Sequence, residues 1–504
     1  MVKERVQLNI PLAHYQSVLS WSQADIDRLV ERAIDIAVAV GLKLDDDSTG
    51  AYLGEAEMRG MRIDRSVRTV LFDRPQIEQT VAVMRETAPA SSPARGPMQP
   101  AARGALVSVG NGANLIFDWD RWQARAPAAA DLVELCHWAQ GCDGVSSLFA
   151  PVMLKDMDLK LEPLLNYALM AKHCRKPVYH EQPTEPIHVK YLDRMAHVVE
   201  RHRGYLQPMQ VFEYINPPFR VSSRAIRTML ARVDSGVCCE MGIGPMTVGG
   251  MSAPVTVAGA AVVAVAEILT GLTFLRIIRP GYGLRATMCT GALDLRTARV
   301  SYFGMHAHLQ NLAGWELLVR GLGVESSCLT WYRDANEPGM QAMYEFGTAQ
   351  AFFSVLLGRC TPEIGGLANG NAFSPHQAVL DMAAIREFDE LSAGFEAGDD
   401  ALGLDTVINA RFDQGVHLGS DHTLQYMQDG VPFSDLFLRG LPAAAHHEKG
   451  HTQTDELMTG AVESVRAATG IGARVDPDDE LAQELYELVK EAAAELGVRV
   501  PALL

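Results

Sequence analysis

The 504-residue chain has only eight cysteines, scattered from Cys136 to Cys360, and no two stand in a CxxC spacing. That argues against a disulfide framework and offers no compact thiolate set, so reduced thiols are expected. A chain of this length can bury a large core without such staples. Cys238 and Cys239 are adjacent, but neighbours on a strand point to opposite faces. With no clear histidine partner they fall short of the three or four ligands zinc normally takes, and no metal is expected in this chain. Basic residues are also in deficit: 44 Lys and Arg against 61 Asp and Glu leave a net charge of -17. A nucleic-acid partner needs clustered basic groups, and an anionic membrane surface would repel this chain. Long apolar runs are nearly absent. The longest, 253–278, is broken by Pro254, Gly259, Glu267, Gly271 and Arg276, and reads as a buried core helix. Met1 to Val6 lacks the apolar centre of a signal peptide, so a cytoplasmic protein is expected.

What is present is an ordinary globular balance, with 48% hydrophobic and 21% charged residues. Ser22 and Asp25 make a helix start, and Ile26, Leu29, Val30, Ala33, Ala37 and Val40 follow at helical spacing to Gly41. A second helix begins at Pro75. Residues 1–88 therefore read as an N-terminal helical extension. Residues 89–104, rich in Pro, Ala, Ser and Gly, read as a linker. Eight β-prone runs follow, at 106–109, 145–149, 177–180, 208–214, 237–241, 283–289, 326–331 and 362–367, most separated by a helix-sized segment. Strand–helix alternation calls for a parallel sheet, and eight units predict an α/β fold, a (β/α)8 TIM-type barrel over 105–395. An open doubly wound sheet is the alternative. Residues 396–504 read as a C-terminal helical tail packed on the barrel. Its last helix starts at Asp476-Pro477 and carries Leu481, Leu485, Leu488, Val489 and Ala492 as an apolar stripe.

Barrel chemistry sits where strands end and βα loops begin. Tyr179, His180 and Glu181 lie at the third such end; Phe212, Glu213, Tyr214 and Asn216 at the fourth. Glu240 lies at the fifth, before a loop read as Gly242-Ile243-Gly244-Pro245, and Trp331, Asp334 and Asn336 at the seventh. Tyr282 and Tyr344 lie near two more, and His422 stands in a glycine-flanked segment. Acidic and aromatic groups collected at one mouth suit a cationic ligand, because ring faces attract quaternary ammonium groups. Any single ring is as well explained as core, and His422 as a structural hydrogen-bonding group. The GxG of Gly242 and Gly244 lacks the third glycine of a dinucleotide loop, which excludes a Rossmann reading.

Several ordered segments carry a further signal. They are Trp21 to Ile26, Val40-Gly41-Leu42, Arg74-Pro75, Ser252 to Gly259 continuing to Gly271 and Arg279-Pro280-Gly281, Asp294 to Thr297, Glu337 to Glu345, and His417 to Leu424. Their set and order resemble the trimethylamine:corrinoid methyltransferase family. Only the twenty standard residues occur, so the chain resembles the non-pyrrolysine branch, which includes demethylases of glycine betaine and related quaternary amines. Trp331-Tyr332-Arg333 departs from the family's otherwise small, polar pattern there. The resemblance implies a methyltransferase that passes methyl from a quaternary or tertiary methylated amine, such as a betaine, to the Co(I) of a corrinoid (cobalamin). The sequence contains no DxHxxG-type segment, so that corrinoid is expected on a partner protein and not permanently here. A homo-oligomer is expected.

On this reading the rings of Tyr179, Phe212, Tyr214, Tyr282, Trp331 and Tyr344 hold the cation. His180, Asn216, Asn336 and His422 are the candidates for binding a substrate carboxylate. Two rival functions exist. One is a metal-dependent barrel hydrolase using His180, Glu181, Glu240 and His422; the other is a noncatalytic betaine-binding relative.

Overall fold

A computed structural model describes residues 21–45, 50–87, 107–110, 112–180, 182–206, 209, 211–328, 332–357, 363–393, 398–410, 417–428, 436–437 and 452–501. Eight parallel strands form its centre: β1 Ser108–Val109, β2 Ser147–Phe149, β3 Val178–Tyr179, β4 Phe212–Ile215, β5 Glu240–Pro245, β6 Gly283–Met288, β7 Ser326–Cys328 and β8 Glu363–Ile364. All eight overlap the β-prone runs of the sequence. They pair as two four-stranded arcs, β8-β1-β2-β3 and β4-β5-β6-β7, so neighbours in space are neighbours in the chain. The register runs Ile364↔Val109↔Leu148↔Val178 in one arc. In the other, Glu213 and Ala286 both pair with Ile243, and Ser326 pairs with Ala286.

Among the described residues no ladder joins β3 to β4 or β7 to β8, so the expected closed barrel is seen only as these two arcs. Other hydrogen bonds span both seams. Gln182 Nε2 donates to Phe212 O at 2.7 Å across the first. Ala368 N donates to Ala335 O, and Asn369 N to Arg333 O, both at 2.7 Å, just beyond the second.

One boundary is corrected. The fifth strand, expected at 237–241, runs Glu240–Pro245, so Gly242 and Gly244 are strand residues and not a loop.

A helix follows each strand, because parallel neighbours need a crossover. The Val257–Ile278 helix begins at Thr256, whose hydroxyl accepts from Gly259 N, and is buried over most of its surface. By length and composition alone it could cross a membrane, but 83% of its most apolar window is buried inside the protein. Such burial fits a core helix, as the interrupted apolar run implied. Glu267 lies within it, fully buried, accepting from Phe219 N at 2.9 Å and hydrogen-bonded to the Thr247 hydroxyl. Burial pushes its carboxyl up to about 7, against the lowering effect of those two bonds.

The folded state thus holds a proton that the unfolded chain releases near pH 4.5. Stability contributed by that proton is present below this value and is lost as pH rises to about 7. Glu267→Gln, which cannot ionise, is expected to flatten the fall in urea midpoint between pH 5 and 8, gaining about 2–3 kcal/mol at the alkaline end. An unchanged pH profile in the variant would place the dependence elsewhere.

The N-terminal segment is more than helical. Helices Gln23–Val40 and Arg74–Glu86 form where expected, each opened by a reciprocal capping box, Ser22 with Asp25 and Asp73 with Gln76. Between them lie strands Leu42–Leu44, Arg62–Asp64 and Thr69–Leu71, and Leu42–Leu44 pairs in parallel with Arg220–Val221 from the connection after β4. Strands of three residues show too few alternations to give a period-2 signal. The unit shares a core with the central fold, since Ile26 and Val30 cluster with Ala261, Val265 and Leu317. The linker expected at 89–104 lies outside the described residues.

The C-terminal helices Gln453–Gly472 and Asp479–Leu496 pack on the helices after β1, β2 and β3. At one crossing the backbones touch. A Cβ on Gly141 would lie 1.9 Å from Ala468 O, and one on Gly472 1.8 Å from His137 O, so only glycine fits at either.

Candidate active site

Side-chain alternation decides what faces the space between the strands. Ile215, Met241, Ile243, Leu284, Ala286 and Met288 point outward into the helix-side core. Phe212 and Tyr214 on β4, Gly242 and Gly244 on β5, and Thr287 on β6 therefore point inward. In the other arc Val109, Leu148, Val178 and Ile364 are outward core. Ser108, Ser147, Phe149, Tyr179 and Glu363 thus point inward.

The two β5 glycines make room for rings. A Cβ on Gly242 would sit 2.5 Å from Phe212 Cδ1; one on Gly244 would sit 2.8 Å from both Tyr214 Cε1 and Thr287 Cγ2. Ser327 Oγ donates to Thr287 Oγ1 at 2.8 Å, and Ser327 itself is exposed, so the interior is open to water there.

Three phenols and a carboxylate lie near one another beside this layer. The rings of Tyr302 and Tyr332 stand 5.5 Å apart at 53°. Burial pushes the Tyr332 phenol well above the usual tyrosine range, and Cys289, Tyr214, Glu363 and Tyr302 nearby all act in the same direction. Burial likewise raises Tyr302 and pushes the Cys289 thiol up to about 12, which leaves that thiol neutral and unreactive. Glu363 is in register with Ser108, which pairs with Ser147. A carboxylate among phenols that resist ionisation is the negative end of a site for a cation.

Tyr332 is placed by its neighbour. The Arg333 guanidinium makes a fully buried bidentate pair with Asp381, at 2.9 and 2.8 Å. Asp381 also accepts from Gln377 Nε2 at 2.7 Å and from Gly365 N at 2.8 Å, just after β8. One oxygen of half-buried Asp334 is enclosed with no hydrogen-bond partner.

Of the residues singled out from sequence, the structure turns Tyr179, Phe212 and Tyr214 inward. Asp334 stands two residues beyond Tyr332. Tyr344 is exposed on the outer turn of the Met340–Leu357 helix, 6.2 Å from the Phe303 ring. Asn336, eight positions earlier, is also exposed.

Others point elsewhere. His180 alternates outward and meets the Tyr167 ring edge-on at 5.8 Å. Glu213 also points outward, to Arg232 and Thr228 at 2.8 Å each. Asn216 leaves the strand and donates to Asp45 of the N-terminal unit at 3.3 Å. Glu240 opens β5 instead of closing it, and pairs with Arg285 at the opposite end of the strands from the mouth. Tyr282 precedes β6 and donates to Val233 O at 2.9 Å. His422 bonds Ala401 O at 3.2 Å and packs on Tyr426, within the C-terminal helices. Glu181 and Trp331 lie outside the described residues.

Tyr302 and Glu363 escaped the sequence reading. Tyr302 follows a short antiparallel strand, Arg299–Ser301, that the sequence does not announce. Glu363 sits inside the last strand, where only a fixed register reveals which way it points. The described residues contain no group of three or more His, Cys, Asp or Glu able to hold a metal ion.

An α/β arrangement of parallel strands around an aromatic, acidic interior defines the class. Comparison gives the family. The model of the trimethylamine methyltransferase family matches residues 3–466, and the chain belongs to that family. The ordered motifs pointed to the same one. A trimethylamine methyltransferase, MttB2, of Methanosarcina mazei is 25% identical over 291 residues, covering 55% of this chain and 56% of that protein. The chain thus spans about half the length of the curated relative it matches. Among solved structures, the Methanosarcina barkeri monomethylamine methyltransferase MtmB is similar at a TM-score of 0.45, with 9% identity over 89% of this chain and 88% of that one. A hydroxylamine complex of MtmB gives a TM-score of 0.42 and 12% identity over 88% and 93%.

Proposed function

We propose that this chain transfers a methyl group from a quaternary or tertiary methylated amine, such as a betaine, to the Co(I) of a corrinoid protein. In this reading the two arcs close into a (β/α)8 barrel, and the protein works in the cytoplasm. The carrying observation is that, in a member of this family, inward-facing Tyr214 and Glu363 lie near the Tyr302–Tyr332 ring pair. Ring faces and a carboxylate suit a methylated ammonium, because both attract positive charge.

The methyl acceptor is the partner's Co(I), a nucleophile that this chain does not itself supply. What this chain adds is orientation and exclusion of water. Tyr214 and Tyr332 hold the ammonium against Glu363 with one methyl directed to the mouth. A quaternary amine leaves neutral, so no proton needs to be delivered to nitrogen. Around the mouth, Met251, Leu295, Met305, Met340 and Tyr344 are exposed on loops and helix starts that follow strands. Exposed apolar groups of this kind suit the face of a docking partner.

The test mixes the purified chain, glycine betaine or a related amine, and a reduced corrinoid protein, and follows loss of the Co(I) absorbance. Turnover is expected only with all three. Amine binding without methyl transfer to any corrinoid protein would favour the noncatalytic relative.

A further inference from the structure

A second space, partly open to solvent, lies away from the strand interior. It is a cavity of about 360 Å³ between the Leu115–Asp118/Gln123–Arg125 hairpin, the Ala129–Gly141 helix, the start of the Pro375–Ala393 helix and the Gln453–Gly472 helix. None of its lining residues belongs to the Tyr214–Glu363 cluster.

Its walls are chemically uneven. Trp119 and His376 stack at 4.5 Å and 34°. Trp138 is 1% exposed, and its indole N–H has no acceptor. His376 Nδ1 is buried without a partner. Burial pushes the His376 imidazole down to about 4; Arg466 acts in the same direction and Asp120 against it, so the ring is neutral at pH 7.

Four carboxylates and two guanidiniums also line the space. Asp118 and Asp131 are both satisfied by Arg125, at 3.0 and 2.7 Å. No ion pair is formed by Asp120, Glu134 or Arg466 among the described residues. A buried polar atom without a partner is costly, and the Trp138 indole N–H and the His376 Nδ1 in one cavity mark a place that a ligand completes.

We propose that this cavity binds a small organic cation that also carries a carboxylate. Its cationic group lies over the Trp119 ring and faces Asp120 and Glu134. Its carboxylate accepts from Trp138 Nε1 and pairs with Arg466. The lining's excess of negative charge selects a net positive ligand, and the flat Trp119 face favours a planar or methylated head.

The probe is L-arginine, which has a planar cation and a carboxylate but no N-methyl group to transfer. Its binding is therefore separable from the methyl-transfer reading. Calorimetry of the full chain should show one saturable site. Trp119→Ala and Arg466→Ala should each weaken it by at least about tenfold. Trp119→Phe, which keeps a ring face, should retain most of the affinity, and Glu363→Gln should leave it unchanged. Arg466 is exposed on its helix, so its replacement is not expected to unfold the chain, and a melting curve checks this. Absence of saturable binding, or binding insensitive to both cavity variants, overturns the proposal.

Discussion

Arg333→Met is expected to destabilise the chain by about 3–5 kcal/mol, seen as a large fall in the urea midpoint. The guanidinium and the Asp381 carboxylate are both buried, so removing one partner strands a charge away from water. Gln377 and the Gly365 amide would still bond Asp381, but neither neutralises it. Methionine keeps much of the volume over the Phe346 ring, which the guanidinium now covers at 4.9 Å, so lost packing contributes little. The double variant Arg333→Met with Asp381→Leu should recover much of the loss, because it leaves no orphaned charge. Equal losses in the single and double variants would assign the effect to packing. The pair also holds the seam between β7 and β8 and thereby sets Tyr332, so the single variant should lose amine binding too.

Glu363→Gln should weaken binding of a methylated ammonium by about 1–2 kcal/mol, a roughly five- to thirty-fold rise in Kd. Glutamine keeps the shape and the hydrogen-bonding oxygen but removes the charge. The amine nitrogen loses its positive charge as the methyl departs, so Glu363 attracts the ground state more than the transition state. KM should therefore rise while kcat holds or increases slightly. A fall in kcat at constant KM would mean that Glu363 acts on the transferring methyl and not on the cation. Trimethylamine oxide, whose opposite charges sit on adjacent atoms, should bind the two forms more equally than glycine betaine, whose charges lie farther apart.

Eight β-prone runs, the starts of the two N-terminal helices, the buried core helix and the family were all legible in the residues. Each rests on local information: hydrophobic period, capping residues, or ordered short motifs. Tyr179, Phe212 and Tyr214 were singled out only together with their neighbours His180 and Glu213, because whole strand ends were taken and not alternate residues. The remainder depended on packing between distant segments. Shifting β5 towards the C-terminus moved Glu240 from the mouth to the far end of the strands, and turned a supposed glycine loop into the floor under Phe212 and Tyr214. His180 and Glu213 are one residue from inward positions, and in a period of two one residue reverses the face. Tyr302, Tyr332 and Glu363 come from three separate segments and meet only when the arcs bend round. The Arg333–Asp381 pair spans 48 positions in the chain. No local pattern encodes such a meeting, because it depends on how whole strands and helices pack against one another.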